Sequence, residues 1–327
     1  MALDIEKRAQ LLAEYGGGGG PCPAPETAPS VAVIISSRNE GPRVRATVDC
    51  FRRAEGIPLE TIVVDDASTD KSCAALPGHV IRRDSQCGVG ANLNVGARLA
   101  LALGADVLIF SDAHVRASGA LLRAVAGKCI EAPAIVSPAA RGYAANAVAG
   151  FGGALVRSAC GEISPGPGGR DLVTVTWAPA PPVNDWGRVT APLGGLYCMS
   201  AETARILAEP TGRIFDTHAG HYGCIEECLA IKAHFLAVPV FCYRGETHEH
   251  LFLVPGKGGG TGRWENLVYV LALYFSPEVF EERFRAGAEA LLSAEAVDAL
   301  CARADGKCRR TWTPADERAF LDALPEG

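Results

Sequence analysis

The chain has 327 residues, 48% of them hydrophobic and 21% charged, with a formal net charge of −6. This length supplies one large domain with a sizeable core, or one domain with a small appendage. The acidic balance gives no support to broad electrostatic binding of nucleic acid or anionic membrane, and apolar stretches such as residues 99–103 and 268–275 fall well short of the ~20 residues that span a bilayer.

The opening "MALDIEKRAQLLAEY" reads as a short amphipathic helix. It lacks a basic start followed by an apolar core, so no signal peptide is expected and the expected location is cytoplasmic. "GGGGG" and "PCPAPETAP" then form a flexible and a stiffer linker. From Val31 apolar strands alternate with helices. "VAVIISS" is a buried strand, "GPRVRATVDCFRRA" a helix, "ETIVVDD" and "GHVIRR" strands, "GANLNVGARLALALG" a helix and "DVLIFSDAH" a fourth strand. Such alternation predicts a parallel sheet covered on both faces, and ligands bind such sheets outside the carboxyl ends of the strands. Polar residues gather at those ends: Ser37, Arg38 and Glu40 after the first strand, Asp65 and Asp66 after the second, Asp112 and His114 after the fourth.

The second half is less regular. "PAIVSPAA", "LVTVTW" and "GGLYCMS" read as strands, "AETARILAE" as a helix capped by Ser200, and "GCIEECLAIKAHF" as a helix. "VPVFCY" is a strand with "ETHEHLF" as its exit, "VPGKGGGTG" a loop, "RWENLVYVLALYF" a long helix, and two or three amphipathic helices finish the chain. The twelve cysteines are irregularly spaced without a C-x-x-C, as expected of reduced core thiols. Cys224 and Cys228 have no second pair to complete a zinc site and fit one helix face.

Several residue types at these positions can carry chemistry. Asp65 and Asp66 can accept hydrogen bonds from a base or ribose, or residues 66–70 can cap a following helix. No G-x-G-x-x-G follows the first strand, which excludes the dinucleotide fingerprint, and "GKGGGTG" has its glycines on the wrong side of the lysine for a P-loop. Asp112 and His114 offer an oxygen and an imidazole to a metal, or simply begin a loop. Glu226 and Glu227 lie at a helix start, where the dipole favours ionised acids. Only one of the two has room to face a cleft, and Glu226 is preferred. Lys307, Arg309 and Arg310 form one local basic patch able to meet an anionic acceptor.

The segments "VAVIISSRNE", "ETIVVDDASTD", "GVGANLNVGARLA", "VLIFSDAH", "APLGGLYCMS", "GRIFDTHAGHYGCIEECLAIK", "ETHEHLF" and "GRWENLVYVLALYF" stand in the order of a GT-A-fold glycosyltransferase. The chain resembles the family-2 group and the related polypeptide N-acetylgalactosaminyltransferases over roughly residues 30–275. The resemblance implies an α/β fold of GT-A type, a Rossmann-like mostly parallel sheet flanked by helices. It implies a division into a linker region (1–29), a glycosyltransferase domain (30–275, its nucleotide half 30–115 and its acceptor half with a lid loop 116–275) and a helical extension (276–327).

Carried over residue by residue, the resemblance places Ser37, Arg38, Glu40, Asp65 and Asp66 at the nucleoside, with Asp66 the closer contact. Asn94 and Gly96 fall on the helix beside the diphosphate. Leu93 stands where the family usually has arginine, a departure that Arg82 or Arg83 would compensate. Asp112 and His114 match the D-x-H form of the metal motif, Ala113 lies between them on the donor, and His250 is the third ligand, with His248 as fallback. Oxygen plus imidazole suits Mn²⁺ better than Mg²⁺. Gly194 and Gly195 lie in the acceptor-side strand, and Asp216 near the acceptor or capping a turn. His218 and His221 are further acceptor or metal candidates. Lys257, Arg263 and Trp264 belong to a lid that closes over phosphate and sugar.

The expected activity is metal-dependent transfer of a hexosyl or N-acetylhexosaminyl group from a UDP-linked sugar to a soluble acceptor: a small molecule, a peptide or a modified nucleic-acid base. Family-2 relatives invert and D-x-H relatives retain. The remaining motifs favour inversion with a glutamate base. A nucleotidyltransferase would want a glycine- and lysine-rich loop after the first strand, and a catalytically silent nucleotide-sugar-binding module would have lost Asp112 or the glutamate pair.

Overall fold

The computed structural model describes residues 29–143, 149–159, 171–177, 184–217, 223–252, 262–304 and 312–325. The first half is built as its apolar alternation predicts. Strand β1 (Val31–Ser37) is buried at every position except Ser36. Helix α1 (Pro42–Arg52) starts on a proline, whose missing N–H costs nothing in the first turn, and buries Val44, Val48 and Phe51. Strands β2 (Leu59–Asp65) and β3 (His79–Arg82), helix α2 (Val89–Ala102) and strand β4 (Val107–Asp112) follow. β1 lies between β2 and β4, parallel to both, and β3 extends the sheet beyond β2. Val31, Val33 and Ile35 face one apolar cluster with α1, while Ala32 and Ile34 face another with α2. The pleat thus serves two cores at once. Gly96 lets α2 approach closely, since a Cβ there would stand 2.3 Å from Ile34 Cγ2.

Beyond β4 the sheet changes direction. Strand β5 (Val115–Arg116), helix α3 (Gly119–Glu131), strands β6 (Ile135–Gly142), β7 (Ala149–Gly150), β8 (Gly153–Ala159), β9 (Asp171–Trp177), β10 (Trp186–Val189) and β11 (Leu196–Ser200), helices α4 (Ala201–Ala208) and α5 (Ile225–Phe235) and strand β12 (Val240–His250) complete the catalytic-sized unit. Among the described residues the main sheet has ten strands, ordered β10-β12-β6-β11-β4-β1-β2-β3, with β5 on β12 and β7 on β6. β11 is antiparallel to both β4 and β6, so the parallel expectation holds for β3-β2-β1-β4 and for β6-β12 but not across β11. β8 and β9 form a separate antiparallel hairpin.

Three expectations are corrected. Residues 66–70 cap no helix. Asp70 instead receives the backbone N–H groups of Ser72 and Gly41 at 2.9 Å each, organising a turn. "ETHEHLF" is not the exit of a strand, because β12 continues to His250 after an irregularity between Tyr243 and Thr247. The helix α3 and strands β8 and β10 were not anticipated. Ser200 does cap α4, accepting from Thr203 N at 3.1 Å.

The C-terminal part comprises α6 (Gly262–Tyr274), α7 (Pro277–Val279), a π-helical turn (Phe280–Phe284), α8 (Arg285–Leu291), α9 (Ala294–Ala304) and α10 (Pro314–Ala323). Their apolar faces share one cluster with α5 and β9 through Leu271, Phe275, Phe284, Leu321, Ile231 and Val173. The boundary expected after residue 275 therefore runs through a single packed core. Glu317, 2% exposed, ties α10 to Ser276 by accepting from its N–H at 2.9 Å and its hydroxyl at 2.7 Å. Among the described residues no disulfide joins the nine cysteines. Cys224, just before α5, and Cys228 on it are buried in this cluster. No helix among the described residues is long and apolar enough to cross a membrane.

Candidate active site

β4 delivers Asp112 to the carboxyl edge of the sheet, and three residues later β5 begins. β5 pairs with the end of β12, setting Val115 opposite His250. This pairing brings His114 and His250 together across 136 residues of sequence, their ring centroids 4.9 Å apart. His250 Nε2 lies 3.0 Å from Asp112 Oδ2, and His114 Nε2 lies 4.0 Å from the same oxygen. One ligand atom from each of the three falls within 4.8 Å of the others, the only such group found among the described residues. Burial pushes the Asp112 carboxyl up, but the hydrogen bond and charge of His250 and the charge of His114 outweigh it and hold the group below its usual value. The donor set is one carboxylate and two imidazoles, which fits a first-row divalent ion. A second observation supports the fit: the other nitrogen of His114, Nδ1, lies 3.2 Å from Glu40 Oε2. A carboxylate behind a histidine fixes ring orientation at metal sites. Glu40 therefore braces His114 and also pairs with Arg43 at 3.6 Å.

His248 does not join the cluster. It is completely buried, its Nδ1 lies 3.0 Å from the Ala139 carbonyl oxygen, and burial drives its pKa down to about 3.

Two glycines preceding β11 make the space these side chains occupy. Gly195 has φ +91°, and a Cβ on it would stand 2.6 Å from His250 Cδ2. A Cβ on Gly194 would stand 2.6 Å from Glu226 Oε1. The cavity beside them measures about 250 Å³ and is lined by Asp112 and His250 at one part and by Cys224, Glu226 and Glu227 at another. Both glutamates contribute to its wall, whereas only one was expected to face a cleft. They occupy the first turn of α5, where the helix dipole favours their ionised forms.

The nucleoside side is different from expectation in detail. Ser37 is 2% exposed and accepts from the Cys73 thiol at 3.4 Å. Arg38 donates to the Asp66 carbonyl oxygen at 2.8 Å. Asp65 accepts from Ser68 N at 2.9 Å and pairs with Arg82, and Asp66 accepts from Cys87 N at 2.7 Å and Gly88 N at 3.1 Å. Both carboxylates thus shape the loops at the strand ends, Asp65 with Arg82 as its partner. The Asn94 amide accepts from Ile214 N at 2.9 Å and Phe215 N at 3.1 Å and donates to Phe215 O at 2.9 Å, which pins residues 214–215 to α2.

Asp216 is held by three donors. Its Oδ2 accepts from Lys232 Nζ and from the Tyr274 hydroxyl, each at 2.6 Å, and its Oδ1 from the Thr211 hydroxyl at 2.6 Å. Trp264 is half-buried against the C-terminal apolar cluster. His218, His221, Lys257, Lys307, Arg309 and Arg310 and the 1–28 helix and linker lie outside the described residues, as does the Arg263 side chain. Sequence reasoning missed Val175, Trp177 and Phe252, which also line the cavity. The alternation of "LVTVTW" identified a strand, but nothing in it showed which cavity the strand would border.

Residues 32–149, a little over a third of the chain, match the family model described as Glycosyl transferase family 2. No curated protein sequence matches this one. Among solved structures, GalNAc-T7 with UDP, GalNAc and Mn²⁺ is similar at a TM-score of 0.60 and 16% identity, over 92% of this chain and 59% of that one. The mannosyltransferase PcManGT from Pyrobaculum calidifontis, in complex with GDP-Man and Mn²⁺, is similar at 0.50 and 18% identity, over 98% and 87%. S. aureus TarS with UDP-GlcNAc is similar at 0.50 and 12% identity, over 84% and 71%. The chain therefore has the GT-A fold, and it spans 59% of the length of GalNAc-T7 as crystallised.

Proposed function

We propose that the protein is a metal-dependent glycosyltransferase that moves a sugar from a nucleotide-sugar, UDP-linked, to a hydroxyl acceptor. The observation that carries this reading is the cluster of Asp112, His114 and His250 at the same cavity as Glu226 and Glu227. Asp112, His114 and His250 would hold Mn²⁺, which neutralises charge on a departing diphosphate when bound. Glu40 keeps the His114 ring turned toward Asp112. Glu226 takes the acceptor hydroxyl proton as the acceptor oxygen bonds to the anomeric carbon and the bond from that carbon to the diphosphate oxygen breaks. Glu227, 5% exposed, orients the acceptor from the same helix turn. Ser37, Arg38, Asp65 and Asp66 shape the strand ends against which the nucleoside lies.

The neighbours' printed ligands support this reading: each of the three binds a nucleotide or nucleotide-sugar, and two bind Mn²⁺. Transfer with inversion is the reading that a glutamate base favours. Retention is the second, favoured by the aspartate and two histidines of the metal cluster. Nucleotide release from a panel of UDP- and GDP-sugars, with Mn²⁺ or with EDTA, tests the proposal. Release should require Mn²⁺ and vanish in His114→Ala. No release from any donor, together with no thermal shift on adding nucleotide and Mn²⁺, would reject it. NMR of the product's anomeric proton separates inversion from retention.

A further inference from the structure

The cavity has one wall that the roles above leave unused. Trp177 ends β9 and Phe252 follows β12, and their rings meet edge to face with centroids 5.3 Å apart. Gly150 of β7 seats the indole, since a Cβ there would stand 2.7 Å from Trp177 Cε3. Across from it lies Gly194. The point where a Gly194 Cβ would sit is 2.6 Å from Glu226 Oε1 and 3.7 Å from Trp177 Cζ2. The absence of a side chain on Gly194 therefore lets the Glu226 carboxylate lie close to the backbone on the side where the Trp177 ring also comes within contact.

The charge of the lining narrows what can occupy it. Among the described lining residues Asp112, Glu226 and Glu227 supply three carboxylates and His250 the one basic group, with neither lysine nor arginine. Beside Glu226 and Glu227 a phosphate or a uronate would bring a further negative charge next to two acids, which is unfavourable at close range. A neutral pyranose suits the wall on both sides. Its C–H-bearing face lies against an aromatic ring through dispersion and weak C–H contacts, and its rim hydroxyls donate charge-assisted hydrogen bonds to carboxylates. A volume of about 250 Å³, the share of roughly eight liquid waters, admits a ring of sugar size.

We infer that Trp177, Phe252 and the Glu226–Glu227 pair form a subsite for a single neutral pyranose, the acceptor sugar, with Trp177 as its stacking platform. Naming the occupant the acceptor rests on the glycosyl-transfer reading, because the Asp112 and His250 part of the cavity is then taken by the donor's diphosphate and metal. Binding of the pyranose itself does not rest on that reading.

The test uses the full chain and methyl glycosides of neutral hexoses and N-acetylhexosamines, with methyl glucuronide as the anionic control. Saturation-transfer NMR reports which ring protons touch the protein, and indole fluorescence gives the affinity. At least one neutral glycoside should bind with its ring C–H protons most strongly saturated, and Trp177→Ala should weaken it at least tenfold while Trp177→Phe keeps most of the affinity. Because Trp177 also packs against Leu193, Gly194→Ala provides an independent arm. It adds one methyl beside Glu226 and Trp177, and it should weaken the glycoside to a similar degree in a folded protein. Absence of binding by every neutral glycoside, equal binding of the glucuronide, or wild-type affinity in folded Trp177→Ala or Gly194→Ala would overturn the inference. Nucleotide and Mn²⁺ titration of the unaltered chain runs alongside. If a glycoside binds as described and no nucleotide does, the subsite stands and the transferase reading falls; if nucleotides bind and no glycoside does, the reverse holds.

Discussion

Gly195→Ala is the sharpest single-atom test of the metal cluster. The substitution adds one methyl group at φ +91°, 2.6 Å from His250 Cδ2 and 3.2 Å from its Cγ and Nε2. Ordinary carbon contacts begin near ~3.5 Å, so the ring must retreat by roughly 1 Å. Metal–ligand distances tolerate only about 0.2 Å, and disturbing the support of one ligand typically costs 10–100-fold in affinity, or roughly 1.4–2.8 kcal/mol. A non-glycine residue held at such a φ costs about 1–3 kcal/mol of stability in addition, so the melting temperature should also drop by several degrees. The assay is titration of Mn²⁺ in the presence of UDP, followed by the EPR signal of the free ion. Gly195→Ala should lose at least tenfold in Mn²⁺ affinity and approach His250→Ala. Folded Gly195→Ala that binds Mn²⁺ within twofold of the unaltered protein would refute the placement of His250 as a ligand.

The buried Lys232–Asp216 pair should be among the costliest to break. Lys232→Met leaves the Asp216 carboxylate, in a residue only 3% exposed, without its cation, and loss of about 3–5 kcal/mol is expected, read as a lower urea midpoint; a change under about 1 kcal/mol would show the pair to be incidental. Asn94→Ala should cost about 3 kcal/mol or more by stripping partners from three buried backbone groups, while the donor KM stays put; a tenfold rise in KM without destabilisation would place Asn94 at the ligand. His234 stacks on Phe320 with ring centroids 4.0 Å apart, and burial, aided by the Arg188 charge, lowers its pKa to about 4. The unfolded chain takes up this proton first as the pH falls, so the stabilising contribution is present above about 6.5 and is lost as pH drops toward about 4. Thermal melts from pH 7 to 5 should fall less steeply in His234→Phe, and parallel curves would remove His234 from the account.

The parallel half of the sheet was readable because β1, β2 and β4 are unbroken apolar runs, and only a strand covered on both faces needs such a run. The end of β12 was not. Thr247, His248, Glu249 and His250 look like an exposed exit by composition, yet they pair with β6 and bury both histidines. Asp112, His114 and His250 were legible as a set through family resemblance, and the structure brings their ligand atoms together. The duties of Asp65, Asp66, Asn94 and Asp216 were not, because each is defined by donors far along the chain: Arg82, Cys87, Ile214 and Tyr274. An acidic or amide side chain near a strand end looks the same in sequence whether it holds a ligand or a loop. Trp177 was hidden for a related reason, since its strand belongs to a hairpin whose placement depends on contacts that no local pattern encodes.

The irregularity in β12 has a consequence for how this protein can vary. Tyr243 pairs with Pro138 and Thr247 with the very next residue of β6, Ala139, so Arg244, Gly245 and Glu246 are surplus to the ladder. Beyond the irregularity the faces are set by pairing with β6, from Thr247 opposite Ala139 to His250 opposite Gly142, and residues outside the ladder can absorb a change of length. Length is therefore freer at residues 244–246 than from Thr247 to His250, where a slip of one residue against β6 would turn His250 away from Asp112.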